Sequence, residues 1–316
     1  MKILITSNLP ERIYNNISSD LEIDYHNSNT PLSKEEIIKR AKDVDLIICP
    51  LSDKIDREVI DSSKNLKAIF NYGAGFDNID IEYAKEKKIV VTNAPAPSSA
   101  VSTAELSFGL ILAISRKLIQ GEKDLREGNF LGWRPTYFLG DQLKGKTLGI
   151  IGMGNIGSNL AKRALAFEMD VVYHSRNRKE EIENLGVVYK EKEELLKEAD
   201  IITIHTAYRE ELHHMMSEKE FSMMKESAYF INAARGPLMD EKALVNALKN
   251  KDIKGAALDV YEFEPKISKE LLDLTNVTLI PHLGNATVEA RMEMGKAVID
   301  NLNDFLNDKE PRNKVN

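Results

Sequence analysis

Several residues in this sequence have types and spacings that could do chemistry. Gly152-Met153-Gly154-Asn155-Ile156-Gly157 has the G-x-G-x-x-G spacing of a turn that lets backbone approach a pyrophosphate. Arg235, in Asn232-Ala233-Ala234-Arg235-Gly236, offers a permanent cation. Glu264, in Tyr261-Glu262-Phe263-Glu264-Pro265, offers a carboxylate, and His282, in Ile280-Pro281-His282-Leu283-Gly284, an imidazole. Hydride transfer to a 2-keto acid has three needs: a cation for the carboxylate, a proton donor for the developing alkoxide, and a group that tunes the donor. Arg235, His282 and Glu264 are the three types in question. Taken singly, each has a blander reading: a surface ion pair, a turn cap, a solvated acid.

The elements around these residues decide between the two readings. Short apolar runs suggest strands at Lys2–Thr6, Asp45–Cys49, Lys67–Asn71, Ile89–Thr92, Thr147–Ile151, Asp170–His174, Ile201–His205, Tyr229–Asn232, Gly255–Asp259 and Val277–Ile280. Amphipathic stretches separate most of them, which predicts parallel sheets covered on both faces. Ser217 to Glu220 has the spacing of a capping box, and Asp240 stands where an N-cap would open the next helix. The glycine turn follows one predicted strand and opens a helical run, Ser158 to Phe167, that leads to another strand. That βαβ context turns a weak motif into a dinucleotide site. Arg235, Glu264 and His282 each lie just past a strand, where a doubly wound sheet gathers its ligand contacts.

The strand after the glycine turn ends in His174-Ser175-Arg176-Asn177-Arg178, without the acid that would accept from an NAD ribose. Ser175, Arg176 and Arg178 suit a 2′-phosphate instead. NADP(H) is the expected cofactor, with NAD(H) possible.

Length and composition narrow the rest. The 316 residues suit two domains, and 42% hydrophobic with 29% charged residues is ordinary for a globular chain. A net charge of −7 gives no footprint for nucleic acid or an anionic membrane. The apolar run Leu106 to Ile114 is too short to span a bilayer and reads as a buried helix. The N-terminus enters a strand pattern directly, with no signal peptide expected. The single cysteine, Cys49, lies in the run Leu46 to Cys49, so it reads as a buried strand residue in a cytoplasmic protein. His213 and His214 are adjacent, which is poor spacing for shared metal ligation, and no metal is expected. His205, at a strand end, reads as structural. Trp133 reads as a packing anchor in a long loop.

The glycine turn begins near the middle of the chain, after about 145 residues of similar α/β pattern. After Pro281 only one long helical pattern remains, Thr287 to Leu306. The order implies a discontinuous first domain, 1–96 with 285–316, and a nucleotide domain inserted at 97–284. Pro95 to Ser99 and the segment after Pro281 would be the crossovers and hinges.

With those motifs in order, the sequence resembles the D-isomer-specific 2-hydroxyacid dehydrogenases, closest to the glyoxylate/hydroxypyruvate reductase branch. The matching stretches are Gly73 to Asp80, Lys146 to Gly157, Asn232 to Pro237, Ala257 to Val260, Glu264-Pro265 and Pro281-His282. The resemblance implies a Rossmann domain inserted into a flavodoxin-like substrate domain, both α/β with doubly wound parallel sheets. It implies that Arg235 binds the substrate carboxylate and carbonyl oxygen, that His282 exchanges the proton, and that Glu264 orients His282 and raises its pKa. Ala74 and Gly75 would offer amides to the carboxylate, and Leu51 would meet the substrate's distal end. Gly152, Gly154, Asn155, Ile156, Gly157, Thr103, Thr206, Ala233, Asp259 and Gly284 would line the cofactor. Departures occur at Ala207, where many relatives carry proline, and at Asn285, where serine is frequent. The partner is then a small 2-keto or 2-hydroxy acid, and the assembly a homodimer. Other members of the family remain open, among them a 2-ketogluconate reductase, a D-lactate or a phosphoglycerate dehydrogenase. So does a dinucleotide-sensing scaffold.

Overall fold

The computed structural model describes residues 1–316, and the chain divides into two compact units. Met1–Ser99 with Asn285–Asn316 form the first, and Ala100–Gly284 the second.

The first unit holds five parallel strands: β1 (Lys2–Ile5), β2 (Glu22–Tyr25), β3 (Leu46–Pro50), β4 (Ala68–Tyr72) and β5 (Val90–Thr92), in the order β2-β1-β3-β4-β5. Successive strand side chains point to opposite faces, and both faces are covered. Ile3, Ile48 and Phe70 pack with Met294 and Val298 of the helix Val288–Leu306. Leu4, Ile47 and Ile69 pack with Ile37, Val59 and Ala84 on the other face. Burial on both faces explains why β1, β3 and β4 read as unbroken apolar runs. Each fully buried Ile or Leu stabilises the sheet by about 1.5–3 kcal/mol.

The second unit holds seven parallel strands: β6 (Thr147–Ile151), β7 (Asp170–His174), β8 (Val188–Tyr189), β9 (Ile201–Ile204), β10 (Tyr229–Asn232), β11 (Gly255–Leu258) and β12 (Val277–Leu279). Their order is β12-β11-β10-β9-β6-β7-β8. The direction of winding reverses between β6 and β9, which leaves a crevice beyond their carboxyl ends. The first order is that of flavodoxin-like sheets, and the second that of dinucleotide-binding sheets with one strand added.

The ten predicted strands are present, with ends displaced by a residue at most positions. β2 and β8 were not legible. Both are edge strands, and their residues are half-buried or exposed, so neither carries a continuous apolar run. The capping box at Ser217 and the Asp240 N-cap both form. Thr287 caps the last helix by accepting from the Ala290 amide. Pro97, Ser98 and Ser99 form the first turn of the helix Pro97–Ser115, not a loose connection. That helix is long and apolar enough to cross a membrane, but more than half of it is buried against the chain's own core, with Ala104, Phe108 and Ile111 packed beneath the β6 sheet.

Candidate active site

The glycine turn joins β6 to the helix Asn155–Ala166. Gly152 has φ +101°, and a Cβ there would lie 2.5 Å from the His205 carbonyl oxygen. A Cβ at Gly157 would lie 2.2 Å from the Gly152 carbonyl oxygen. The two glycines therefore let the turn, the helix and β9 pack together. Gly154 differs, because a Cβ there meets nothing within 4 Å. Open space over that residue is what a phosphate's close approach requires. No side chain caps the helix, so its first amides and partial positive charge face that opening. This cradle fits a pyridine dinucleotide. Thr206 and the buried Ala233 follow β9 and β10 at the same end of the sheet.

Beyond β7, Ser175 donates to the Asn177 carbonyl oxygen (2.6 Å), and Arg176 is exposed. Arg178, expected to share a 2′-phosphate, is instead bound to Glu183 through two hydrogen bonds of 3.0 and 2.5 Å. Its guanidinium also lies over the Tyr189 ring. The side chains of Arg178 and Tyr173 hold the Glu183 carboxyl at about 2, so the acid stays charged.

Arg235, Glu264 and His282 come from three neighbouring loops. Arg235 follows β10, in a turn held by Asn232. Its side chain donates to the Arg235 carbonyl oxygen (3.0 Å) and accepts from the Ala234 amide (3.0 Å). Gly236 lets this loop meet the one after β11, for a Cβ there would lie 1.9 Å from the Tyr261 carbonyl oxygen. Glu264 closes the second loop, accepting from the Tyr261 amide (2.9 Å). Its other oxygen lies 2.9 Å from His282 Nδ1. A carboxylate only accepts, so Nδ1 carries the proton and Nε2 is left to face a reactant. Burial pushes the Glu264 carboxyl up, but His282, the Tyr261 amide and the Arg235 charge outweigh it and hold it below its ordinary range.

His282 adopts φ +53°, a left-handed conformation that costs a non-glycine residue about 1 kcal/mol. Asp259 keeps it there. Its backbone carbonyl accepts from the His282 amide (2.9 Å), and its carboxylate accepts from the amides of Leu283 and Gly284. Asp259 is fully buried, and burial raises its pKa against the pull of those amides and of His282. The sequence suggested a cofactor contact at Asp259; the backbone scaffold for His282 was not legible. Thr103 is buried near Gly284, and a Cβ on that glycine would lie 3.3 Å from the Thr103 hydroxyl.

In the first unit the loop after β4 carries Ala74 and Gly75. The Asn93 amide group donates to the Ala74 carbonyl oxygen and that of Asn71 to Gly75, both at 2.7 Å. Asn78 donates to the carbonyl oxygens of Pro50 and Asp53, tying in the loop that holds Leu51. Leu51 lies where a Gly73 Cβ would be, 2.4 Å from its Cγ. Gly73 and Asn78 fall in a matching stretch, but the network they share with Asn71 and Asn93 was not legible, because nothing in their spacing announces it. Cys49 is buried in β3, its thiol pushed well above the ordinary value by burial.

Two readings change. Trp133 is 83% exposed and anchors nothing within the chain. Leu131, Phe130 and Leu139 beside it are exposed as well. His213 and His214 do share a face. His214 has φ +55°, which folds the two rings into a stack 3.9 Å apart. His205, read as structural, is buried with Nε2 2.9 Å from the Thr203 hydroxyl, and burial pushes its pKa down to about 3. A proton carrier at neutral pH needs a different value.

Residues 108–284 match the family model described as the D-isomer specific 2-hydroxyacid dehydrogenase, NAD binding domain. A Staphylococcus haemolyticus protein described as a 2-hydroxyacid dehydrogenase is 48% identical over 316 residues, covering 100% of this chain and 99% of the relative. A Thermus thermophilus protein of solved structure aligns with a TM-score of 0.92 and 39% identity over 100% of both chains. The NADPH-dependent glyoxylate/hydroxypyruvate reductase of Sinorhizobium meliloti, solved with NADP and malonate, aligns with a TM-score of 0.85. It is 30% identical and covers 99% of this chain and 96% of its own.

Proposed function

The chain belongs to the D-isomer-specific 2-hydroxyacid dehydrogenases, and on that premise we propose that it reduces small 2-keto acids to D-2-hydroxy acids, glyoxylate and hydroxypyruvate foremost, using NADP(H) in preference to NAD(H). When bound, the nicotinamide supplies or accepts the hydride. The protein's own residues do the rest. The Arg235 guanidinium binds the substrate carboxylate and polarises the carbonyl. His282 Nε2 gives its proton to the oxygen during reduction and takes it back during oxidation. Glu264 fixes the imidazole tautomer and its orientation. Ala74 and Gly75 contribute amides to carboxylate binding, and Leu51 limits the substrate's length. The observation that carries this reading is the 2.9 Å contact of His282 with Glu264, beside Arg235.

The cofactor preference rests on Arg176. No carboxylate ends β7, and Arg178 is engaged by Glu183, so Arg176 is the guanidinium assigned to a 2′-phosphate. The Sinorhizobium meliloti reductase, itself NADPH-dependent, supports the choice. Arg176→Ala should raise Kd for NADPH by at least about tenfold, the loss of one charge-assisted contact, and leave Kd for NADH nearly unchanged. Tighter binding of NADH than NADPH by the unaltered protein would overturn it. A panel of glyoxylate, hydroxypyruvate, pyruvate, 2-ketogluconate and phosphohydroxypyruvate, followed by NADPH absorbance, tests the substrate class. The homodimer is supported by the exposed apolar side chains between Leu118 and Leu139.

A further inference from the structure

We propose that His213, His214 and Glu262 form a binding site for one divalent transition-metal ion of the zinc type. Their ligating atoms all lie within 4.8 Å of one another. Two imidazoles and a carboxylate are a complete protein ligand set for zinc with a fourth position open to water. Nitrogen ligands favour zinc, nickel or copper over magnesium or calcium.

The backbone builds this cluster from separate places. His213 and His214 follow the short helix Glu210–Leu212 in the segment after β9, and Glu262 lies in the loop after β11. The His214 amide donates to the Pro237 carbonyl oxygen (2.9 Å), which fixes that end of the loop. The left-handed φ of His214 brings two successive side chains to one side, which neither helix nor strand allows. Glu262 is aimed from beneath. Its Oε2 accepts from the Glu241 amide (3.0 Å), leaving Oε1 turned towards His214 Nε2 at 2.7 Å. Outer contacts of this kind orient metal ligands in advance. The Glu262 side chain is 9% exposed and that of His214 32%, so the carboxylate is fixed while one imidazole faces solvent.

Zinc bonds of about 2.1 Å in a tetrahedron put ligand atoms about 3.4 Å apart. Ring rotation at the exposed His213 and a small shift of His214 supply the closure. The ion takes the place of the proton between His214 and Glu262, and that proton leaves to solvent. Glu262 lies two residues before Glu264, so the ion would brace the segment that carries the His282 partner.

Calorimetric titration of the untagged full chain with Zn²⁺ tests the site, with Mg²⁺ as the control ion. The readout is heat of binding and does not depend on dehydrogenase activity. One equivalent of Zn²⁺ should bind with Kd on the order of micromolar, and Mg²⁺ should not. His213→Ala and His214→Gly should each weaken Zn²⁺ binding by at least about tenfold. Glycine suits the left-handed position, so His214→Gly removes a ligand without straining the loop. His26→Ala, distant in sequence and in the other unit, should change nothing. No saturable binding below about 100 μM, or unchanged affinity in both histidine variants, overturns the proposal.

Discussion

Asp259 shows how a single residue holds a strained one in place. Its carboxylate accepts from two successive amides, and its carbonyl from a third, so the loop from His282 to Gly284 is over-determined. Replacing Asp259 with asparagine turns one acceptor into a donor facing a backbone N–H. We expect Asp259→Asn to lose at least about 2 kcal/mol of stability in denaturant unfolding. We also expect kcat to fall more than KM rises, because the substrate cation Arg235 is untouched. Unchanged kcat would separate the His282 conformation from catalysis. The motifs singled out His282, Glu264 and Arg235 as candidates, since each follows a strand end. They could not reveal Asp259 as scaffold or Gly236 as the point of loop contact. Both depend on distances between segments far apart in the chain.

At the scale of elements, apolar runs were legible wherever both faces of a strand are buried. Edge strands β2 and β8 were not, because exposed strands carry mixed sequences. β9 illustrates the buried case to its last turn. Its extension, His205, is neutral in the fold, with a pKa pushed down to about 3 by burial, against about 6.5 in an unfolded chain. The group therefore adds no penalty above pH 6.5, and its contribution is lost as pH falls below that value towards 3. The slope is about 1.4 kcal/mol per pH unit across that window. Denaturant unfolding between pH 6 and pH 4 should show wild type losing stability faster than His205→Asn. Equal slopes would place a partner on His205 that keeps its folded pKa near the unfolded one.

At the scale of the whole molecule, the parallel, doubly covered character of both sheets follows from the alternation of apolar runs and helices, which the sequence displays almost throughout; the strand orders themselves do not. The exposed apolar surface was not legible: a lone tryptophan in a long loop reads as a packing anchor, and its exposure depends on the fold. Trp133 is 83% and Leu131 82% exposed, and the proposed homodimer would cover this patch. Sedimentation should report a dimer for the unaltered chain and a monomer-rich distribution for Leu131→Ser with Trp133→Ser. A monomeric parent would remove the dimer.

The central claim is that His282, held by Glu264, exchanges the proton while a dinucleotide carries the hydride. It is tested most directly by His282→Ala, comparing kcat for NADPH-dependent glyoxylate or hydroxypyruvate reduction with the parent. Dinucleotide affinity is measured alongside. A loss in kcat of at least about 100-fold with cofactor binding intact is the predicted result. Turnover within a few-fold of the parent would contradict it.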